Sequence, residues 1–551
     1  MSTTRAAAAG TRSGGPGGLV RRTAAGLAAV LLLGGCAGAP DTGGDAGPAA
    51  PSSAPAPGER RVDRSSLVAP SHSTGPSVTG TGAGTGGPAS APRGTEDWRA
   101  RVPGAGTIEG YSTRVSGPEG APVRLKVSTS APRYRVVAFR LGAYRGGTGT
   151  EVWRSGSLRG SEQAAPIFQP AATRTVVAPW EVSLSVDTAG WLPGFYVFKL
   201  RSSRGREVLV PYVVTSESAA GTVALVAPVT TWQAYNEWGG YSLYDGPVGA
   251  RSHAVSFDRP YNGATGANDF RTAAVPIIVQ AEKLGIELSY FTNVDLHTTP
   301  GILDDARGYV SMGHDEYWTT TMREVVTEAR DAGTNLAFLG ANTMYWRVRL
   351  EDRATGPARV VVGYRSDAAL DPLRDDTPIE ATARFRDAPR PNPEQELTGM
   401  MYECYPVDTD YVVASPDWWG FLGTGAHRGD RIAGLVGPEA DRVYPTRSLP
   451  RPMQILSHSP YSCAGVTTVA ESVYYTTGSG AGVFNAGTLR WGCAIVDRCE
   501  HPLGPATARF VKVVTGNVLN EFAEGPAAHR HPAHDNVGDF DLSPANAVSA
   551  S

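Results

Sequence analysis

The sequence predicts a multidomain fold, an all-β immunoglobulin-like sandwich over residues 96–217 followed by a doubly wound α/β domain over residues 218–525. Three observations carry this prediction. Hydrophobic residues in the first stretch recur with period two. After Gly221 the pattern changes to continuous apolar strands alternating with helical periods. At 551 residues the chain is also too long for one ordinary domain.

In the first stretch, "VRLKVST" places Val123, Leu125 and Val127 on one face, and "WEVSLSVDT" does the same with Val182, Leu184 and Val186. "GFYVFKL" and "EVLVPYVV" follow after Gly and Pro punctuation. Short alternating strands with turns between them and no helical period imply a β-sandwich. In the second stretch, "GTVALVAP" is a continuous apolar strand, and "VPIIVQAEKLG" sets Ile277, Ile278, Ala281 and Leu284 at helical spacing before Gly285. "IELSYFTNVD", "ARGYVSMG" and "TNLAFLGAN" continue the strands. Between the last two lies a helix with Met322, Val325, Val326 and Ala329 on one face and Gly333 as its terminator. The alternation implies parallel strands buried on both faces, of Rossmann or class I glutamine amidotransferase type.

The ends of the chain have a different composition. Residues 1–35 read as an export signal, because Arg21 and Arg22 precede "TAAGLAAVLLLGGC", an apolar run too short to span a bilayer. "LGGC" resembles a bacterial lipobox, which implies a lipid on Cys36 and a protein held through that anchor at the outer face of the cell membrane. A plain secretory signal with an incidental cysteine is the alternative. Residues 37–95 are rich in Ala, Gly, Pro, Ser and Thr, a linker composition that cannot offset ordering entropy. Residues 526–551 form a C-terminal tail whose "HRHPAHDN" has either a metal-binding or a merely solvated composition.

Lys and Arg number 50 against 53 Asp and Glu, so no nucleic-acid footprint is present. Four cysteines besides Cys36, namely Cys404, Cys463, Cys493 and Cys499, in an oxidising compartment predict one or two disulfides. Cys493 and Cys499 are the simplest local pair, and buried free thiols are the other option. Neither reading sets an oligomeric state.

Ligands of parallel sheets bind beyond the carboxyl ends of the strands. Here each strand end is followed by unusual chemistry: "TTWQAYNEWGGYSLYDG", then Asp295 with His297, then "HDEYW", then Asn342 with "MYW". These loops are expected to converge. "MGHDEY" has no Ser or Cys at its apex, which disfavours an acyl-enzyme triad. Asp315 and Glu316 are adjacent on an extended segment and point to opposite sides, which disfavours a carboxylate dyad. Arg259 in "FDRPY" is either a pocket guanidinium or a solvated one, and Glu471 is a candidate extra acid.

The motifs "TWQAYNEWGGYSLYDG", "SMGHDEYW" and "LGANTMYW", in this order, resemble the large (beta) subunit of N,N-dimethylformamidase, particularly its C-terminal domain. The resemblance implies a mononuclear Fe3+ ion held by two tyrosines and a glutamate, assisting attack of water on an amide. By motif position these ligands are Tyr235, Tyr244 and Glu316, with His314 and Asn342 on the substrate side. Tyr241 competes with Tyr244 for the second position. A phenol with a pKa near 10 binds a metal only if a strong Lewis acid displaces its proton, and hard oxygen donors suit a ferric ion. The implied partner is a small amide-type substrate. The rival reading is a non-catalytic envelope lipoprotein whose aromatic loops stack on a glycan or peptide, with Tyr235, Tyr244, His314 and Asn342 serving packing and turns.

Overall fold

The computed structural model describes residues 92–543, apart from 102, 104–105 and 264–268. The expected signal segment with Cys36, the linker up to residue 91 and the tail from residue 544 lie outside the described residues. Among the described residues no helix is long and apolar enough to cross a membrane.

Period-two patterning builds the first sheets. Val123, Leu125 and Val127 turn inward along Val123–Thr129, which pairs antiparallel with Ile108–Ser112 and Leu184–Val186. Of Val182, Leu184 and Val186 in "WEVSLSVDT" only Val186 is buried, while Val182 stays 45 % exposed. A six-stranded sheet packs opposite, running Ser116–Pro118, Glu207–Thr215, Gly194–Ser202, Arg133–Tyr144 and Gly147–Arg154, with Leu158–Arg159 attached to Arg133–Tyr144. Val136, Tyr196, Phe198 and Leu200 fill the space between the two sheets.

The other face of that six-stranded sheet is also buried. Phe139, Leu141, Phe195, Val197 and Val213 share one core with Leu225, Ile277 and Val310 of the following region. Each such side chain contributes roughly 1.5–3 kcal/mol through burial. A polar clamp fixes the join: Arg140 pairs with Glu282 at 2.9 Å, and Glu282 accepts from Ala143 N–H at 2.7 Å and from the Tyr290 hydroxyl at 2.9 Å. Gly142 is required there, since a Cβ would lie 2.0 Å from Glu282 Oε2.

The largest sheet has seven strands in the order Leu288–Thr292, Val223–Ala227, Gly308–Met312, Asn335–Leu339, Gly482–Asn485, Val466–Thr476 and Met453–Cys463. The first five are mutually parallel, and the last two join as an antiparallel hairpin. Continuous apolar runs make Val223–Ala227, Gly308–Met312 and Asn335–Leu339 wholly buried. Helix Val275–Leu284 ends at Gly285 with φ +70°, and helix Thr320–Asp331, capped by Thr319, buries Met322, Val326 and Ala329.

These parallel strands do not make the expected fold. The chain is mostly β, with eight sheets among the described residues and only about 20 % helix, and no doubly wound Rossmann-like domain is formed. The expectation of a sandwich followed by such a domain is therefore corrected. After Leu339 the chain does not return through a helix to another parallel strand. Trp346–Arg347 makes a short parallel pair with Tyr317–Trp318, and residues 349–452 form small antiparallel sheets and irregular loops before the hairpin. The helix-strand alternation of residues 223–339 does not continue into this segment, where antiparallel pairs with register shifts replace it.

Both disulfides form. Cys493–Cys499 closes a local loop with Cα atoms 5.0 Å apart. Cys404–Cys463 ties one of the small sheets to the hairpin across a separation of 59 residues.

Candidate functional site

The site lies beyond the carboxyl ends of the parallel strands. After Met312 the chain turns at Gly313, φ +80°, where a Cβ would sit 2.6 Å from Ala273 Cβ. The turn carries His314, Asp315 and Glu316, all buried. Glu316 is held through its backbone: its N–H donates to Thr231 Oγ1 at 3.0 Å, and its carbonyl accepts from Trp346 N–H at 2.9 Å. Asp315 points the other way, as adjacent extended residues must, and accepts from Ser311 Oγ at 2.9 Å. Burial pushes the Asp315 carboxyl up to about 6.

Tyr235 ends the helix Val229–Ala234, and Tyr244 follows in the next loop. Their rings stack at 4.4 Å, and Tyr317 meets both edge-on at 6.4 Å. The hydroxyls converge on Glu316. Tyr235 Oη lies 2.7 Å from Glu316 Oε2 and 2.9 Å from Tyr244 Oη. Tyr244 Oη lies 2.7 and 2.8 Å from the two Glu316 oxygens. Burial first, and then the Glu316 charge, raises both phenols well above their ordinary value. Arg365 opposes this at Tyr244, with its guanidinium 3.7 Å from the ring centroid.

Tyr241 does not reach this cluster and packs edge-on against Phe168 at 5.1 Å. Asp295 and His297 also stay away: Asp295 caps the helix Asn293–Thr298 and accepts from Ser116, and His297 bonds Thr319. Arg259 is not solvated, and its guanidinium is engaged by backbone carbonyls. It is buried, and it donates to the carbonyls of Trp238, Tyr241 and Asn236 at 2.8–3.0 Å, pinning the loop from inside. Glu471 bonds His458 and Val443 N–H within the hairpin region. In "HRHPAHDN", His531 stacks on Trp419 and Asn536 bonds Ile455 N–H, so the segment straps the sheet.

His314 Nε2 lies 3.4 Å from Glu316 Oε2 and 3.4 Å from Glu439 Oε2. Burial pulls the imidazole down, but Glu439, Glu316, Asp269 and Asp315 outweigh it and hold His314 above its ordinary value. Asn342 follows the strand Asn335–Leu339 with φ +53°, a left-handed position that Asn tolerates. Its N–H donates to Asp441 Oδ1 at 2.8 Å, and its Nδ2 lies 3.5 Å from His314 Nε2. Asn342 Oδ1 and Glu439 Oε2 are buried without a hydrogen-bond partner. A half-turn of the amide would offer Oδ1 to an imidazolium N–H.

Glu439 and Asp441 are the functional residues that sequence reasoning missed. They come from "GPEADR", which reads only as an acidic turn. Burial pushes Glu439 up to about 7, against the pull of His314 and with the push of Glu316. Burial likewise pushes Asp441 up to about 7. A cavity of about 230 Å³ reaches His314, lined also by Asp269, Pro438, Leu489 and the Cys493–Cys499 disulfide.

The proton count bears on what this centre can hold. Two phenols supply two protons for four oxygen contacts of 2.7–2.9 Å, so they cannot all be full hydrogen bonds at once. One cation shared by the three groups would relieve that crowding, and hard anionic oxygens match a hard, highly charged ion. Among the described residues no group of three or more His, Cys, Asp and Glu could hold a metal ion, so a cation here would depend on the phenols. The residues fit such a group.

Fold and site together define a β-rich protein with an oxygen-donor centre at the strand ends of its largest sheet. Residues 135–501, more than half of the 551, match the sequence model described as N,N-dimethylformamidase beta subunit-like, C-terminal, and the chain belongs to that family. The family points to a hydrolase-like function. No curated protein matches the sequence. Among solved structures, a Paenibacillus sp. cycloisomaltooligosaccharide glucanotransferase complexed with cycloisomaltoheptaose is similar over 42 % of this chain at 9 % identity, with a TM-score of 0.16. This chain spans 45 % of the length of that structure, and so remote a likeness carries no argument.

Proposed function

We propose that the protein hydrolyses amide or related C–N bonds at a mononuclear ferric centre held by Tyr235, Tyr244 and Glu316. The observation that carries this reading is the convergence of three oxygen donors within 2.7–2.9 Å of one another, next to a cavity that ends at His314. When bound, the ion would supply Lewis acidity, lowering the pKa of water and polarising a carbonyl.

The chain's own residues would do the rest. Tyr317 and Thr231 fix the phenols and the carboxylate before any substrate arrives, so little reorganisation is needed. Glu439, with a carboxyl near 7 and a free oxygen facing His314, would take a proton from the attacking water and return it to the leaving nitrogen. His314 would relay that proton and hold Glu439 in place. Asn342 Nδ2 would donate to the developing oxyanion. The cavity admits a small substrate, and the same reading carries the proposed export and the lipid anchor at Cys36.

The test is iron content and visible spectrum of the purified protein, followed by an amide screen. About one iron per chain, a tyrosinate-to-iron band that moves in Tyr244→Phe and vanishes in Glu316→Ala, and release of amine are expected. Correctly folded protein that takes up no ferric ion and shows no band would overturn the proposal.

A further inference from the structure

A second cavity, of about 310 Å³, lies between the helix Thr320–Asp331 and the segment 379–397. Four arginines line it: Arg323, Arg330, Arg347 and Arg390. Arg323 and Arg347 form its floor, at 4 % and 2 % exposure, with their guanidiniums 5.3 and 4.7 Å from the Phe385 ring centroid. Both are buried cations, which normally sit against carboxylates.

Their acceptors are mostly neutral. Arg323 donates to the carbonyls of Asn392 and Pro393, and Arg347 Nη2 to the carbonyl of Arg390 at 2.9 Å. Arg347 Nε and Nη1 are buried with no partner. One carboxylate, Glu396, reaches Arg323 at 3.2 Å, and it is 42 % exposed. Glu324 and Glu328 also line the cavity, but as exposed residues of the helix. Nearby Asp331 and Glu394 are engaged by Arg330 and Arg386 at 2.8 and 2.9 Å. Burial pulls the Arg323 guanidinium down to about 10, against Glu396 and Glu394 and with the push of Arg347 and Arg330.

We propose that this cavity is an oxyanion-binding site, in which Arg347, Arg323 and Arg390 take the phosphoryl or carboxyl group of a small ligand. Arg347 supplies the fork of donors that a tetrahedral or planar oxyanion accepts. Arg390, exposed at the rim, adds charge and closes over the group. The remaining volume leaves room for the body of the ligand. This site is independent of the hydrolytic reading.

Phosphate and succinate serve as probes, added to the full chain at ionic strength matched with chloride, with Tm and calorimetric titration as readouts. A saturable rise in Tm is expected with phosphate, succinate or both, and the tighter probe identifies the source as phosphoryl or carboxyl. Arg347→Met should weaken binding by at least about tenfold, the scale of a lost charge-assisted hydrogen bond. Arg390→Gln, at an exposed position that leaves the fold alone, should weaken it several-fold. No saturable response to either probe would overturn the proposal. So would an unchanged affinity in Arg390→Gln, or a wild-type response in Arg347→Met.

Discussion

Two short parallel strands, Tyr317–Trp318 and Trp346–Arg347, separate two regions of opposite charge. Before them, at the strand ends, Glu316 and Glu439 face one imidazole, Glu316 also meets two phenols, and Asp441 holds the neighbouring Asn342 N–H. Behind them, two buried guanidiniums flank Phe385, with the half-exposed Glu396 paired to Arg323 and Glu324 and Glu328 exposed on the cavity wall. The acidic side carries two unpartnered acceptors, Asn342 Oδ1 and Glu439 Oε2, alongside the buried Arg365 over Tyr244, and the basic side carries unpartnered donors on Arg347. A fold at equilibrium rarely leaves such groups buried and unpaired, which is the ground for the cation proposed in front and the anion proposed behind.

The largest effect should come from removing the acceptor in front. Glu316→Ala should reduce amide hydrolysis to background and abolish iron binding. It also strips both tyrosine hydroxyls of their carboxylate at about 1–3 kcal/mol each, readable as a lower denaturant midpoint. Glu439→Gln should come next. It keeps the shape and removes the base, lowering the rate by roughly 10²-fold and erasing one ionisation from the rate profile.

The third prediction concerns stability rather than rate. The Asp441 carboxyl stands near 7 in the fold against an ordinary 3.8. Between those values the folded chain keeps a proton that the unfolded chain has lost, so stability falls as pH rises from about 4 to 7 and then levels. Asp441→Asn still accepts from Asn342 N–H and should flatten that slope, by up to a few kcal/mol across the window. An unchanged slope in urea titrations at pH 4.5 and 7 would remove Asp441 from the set of strained acids. The smallest effect belongs behind the strands. In anion-free buffer Arg347→Met should be neutral or stabilising by about 1 kcal/mol, because it replaces a poorly paired buried charge with apolar volume. A clear loss of stability would mean that Arg347 is already fully satisfied.

Much of the front region was legible in the sequence. "QAYNE", "SMGHDEYW" and "LGAN" follow strand-forming runs, and Gly313 and Asn342 mark the turns that present His314 and the amide. The choice of Tyr244 over Tyr241 as the partner of Tyr235 came from motif position in the resemblance and not from local pattern, because both lie in the same short loop and only its path separates them. Glu439 had no readable signal: its partner His314 is distant in the chain, and the loop that brings it carries no period. The back region was invisible for the same reason. Arg323, Arg347 and Arg390 are ordinary surface residues by composition, and only the burial of Arg323 and Arg347 beside the exposed Arg390 makes the group unusual.

By itself the sequence determined what is local: the apolar runs that must be strands, the glycines and the asparagine that allow their turns, and the donor residues set just beyond them. Hydrophobic periodicity and backbone sterics act over a few residues, so a single chain displays them. Tertiary structure decided the rest. It sent residues 346–452 into small sheets instead of another helix-strand repeat, and it brought Glu439 and Asp441 to His314 and Asn342. It also stacked two arginines on Phe385, of which Arg323 pairs with the half-exposed Glu396 and Arg347 keeps two unpartnered donors. Those outcomes depend on contacts between residues far apart in the chain, and the balance of burial against charge that sets them exists only once the chain is folded.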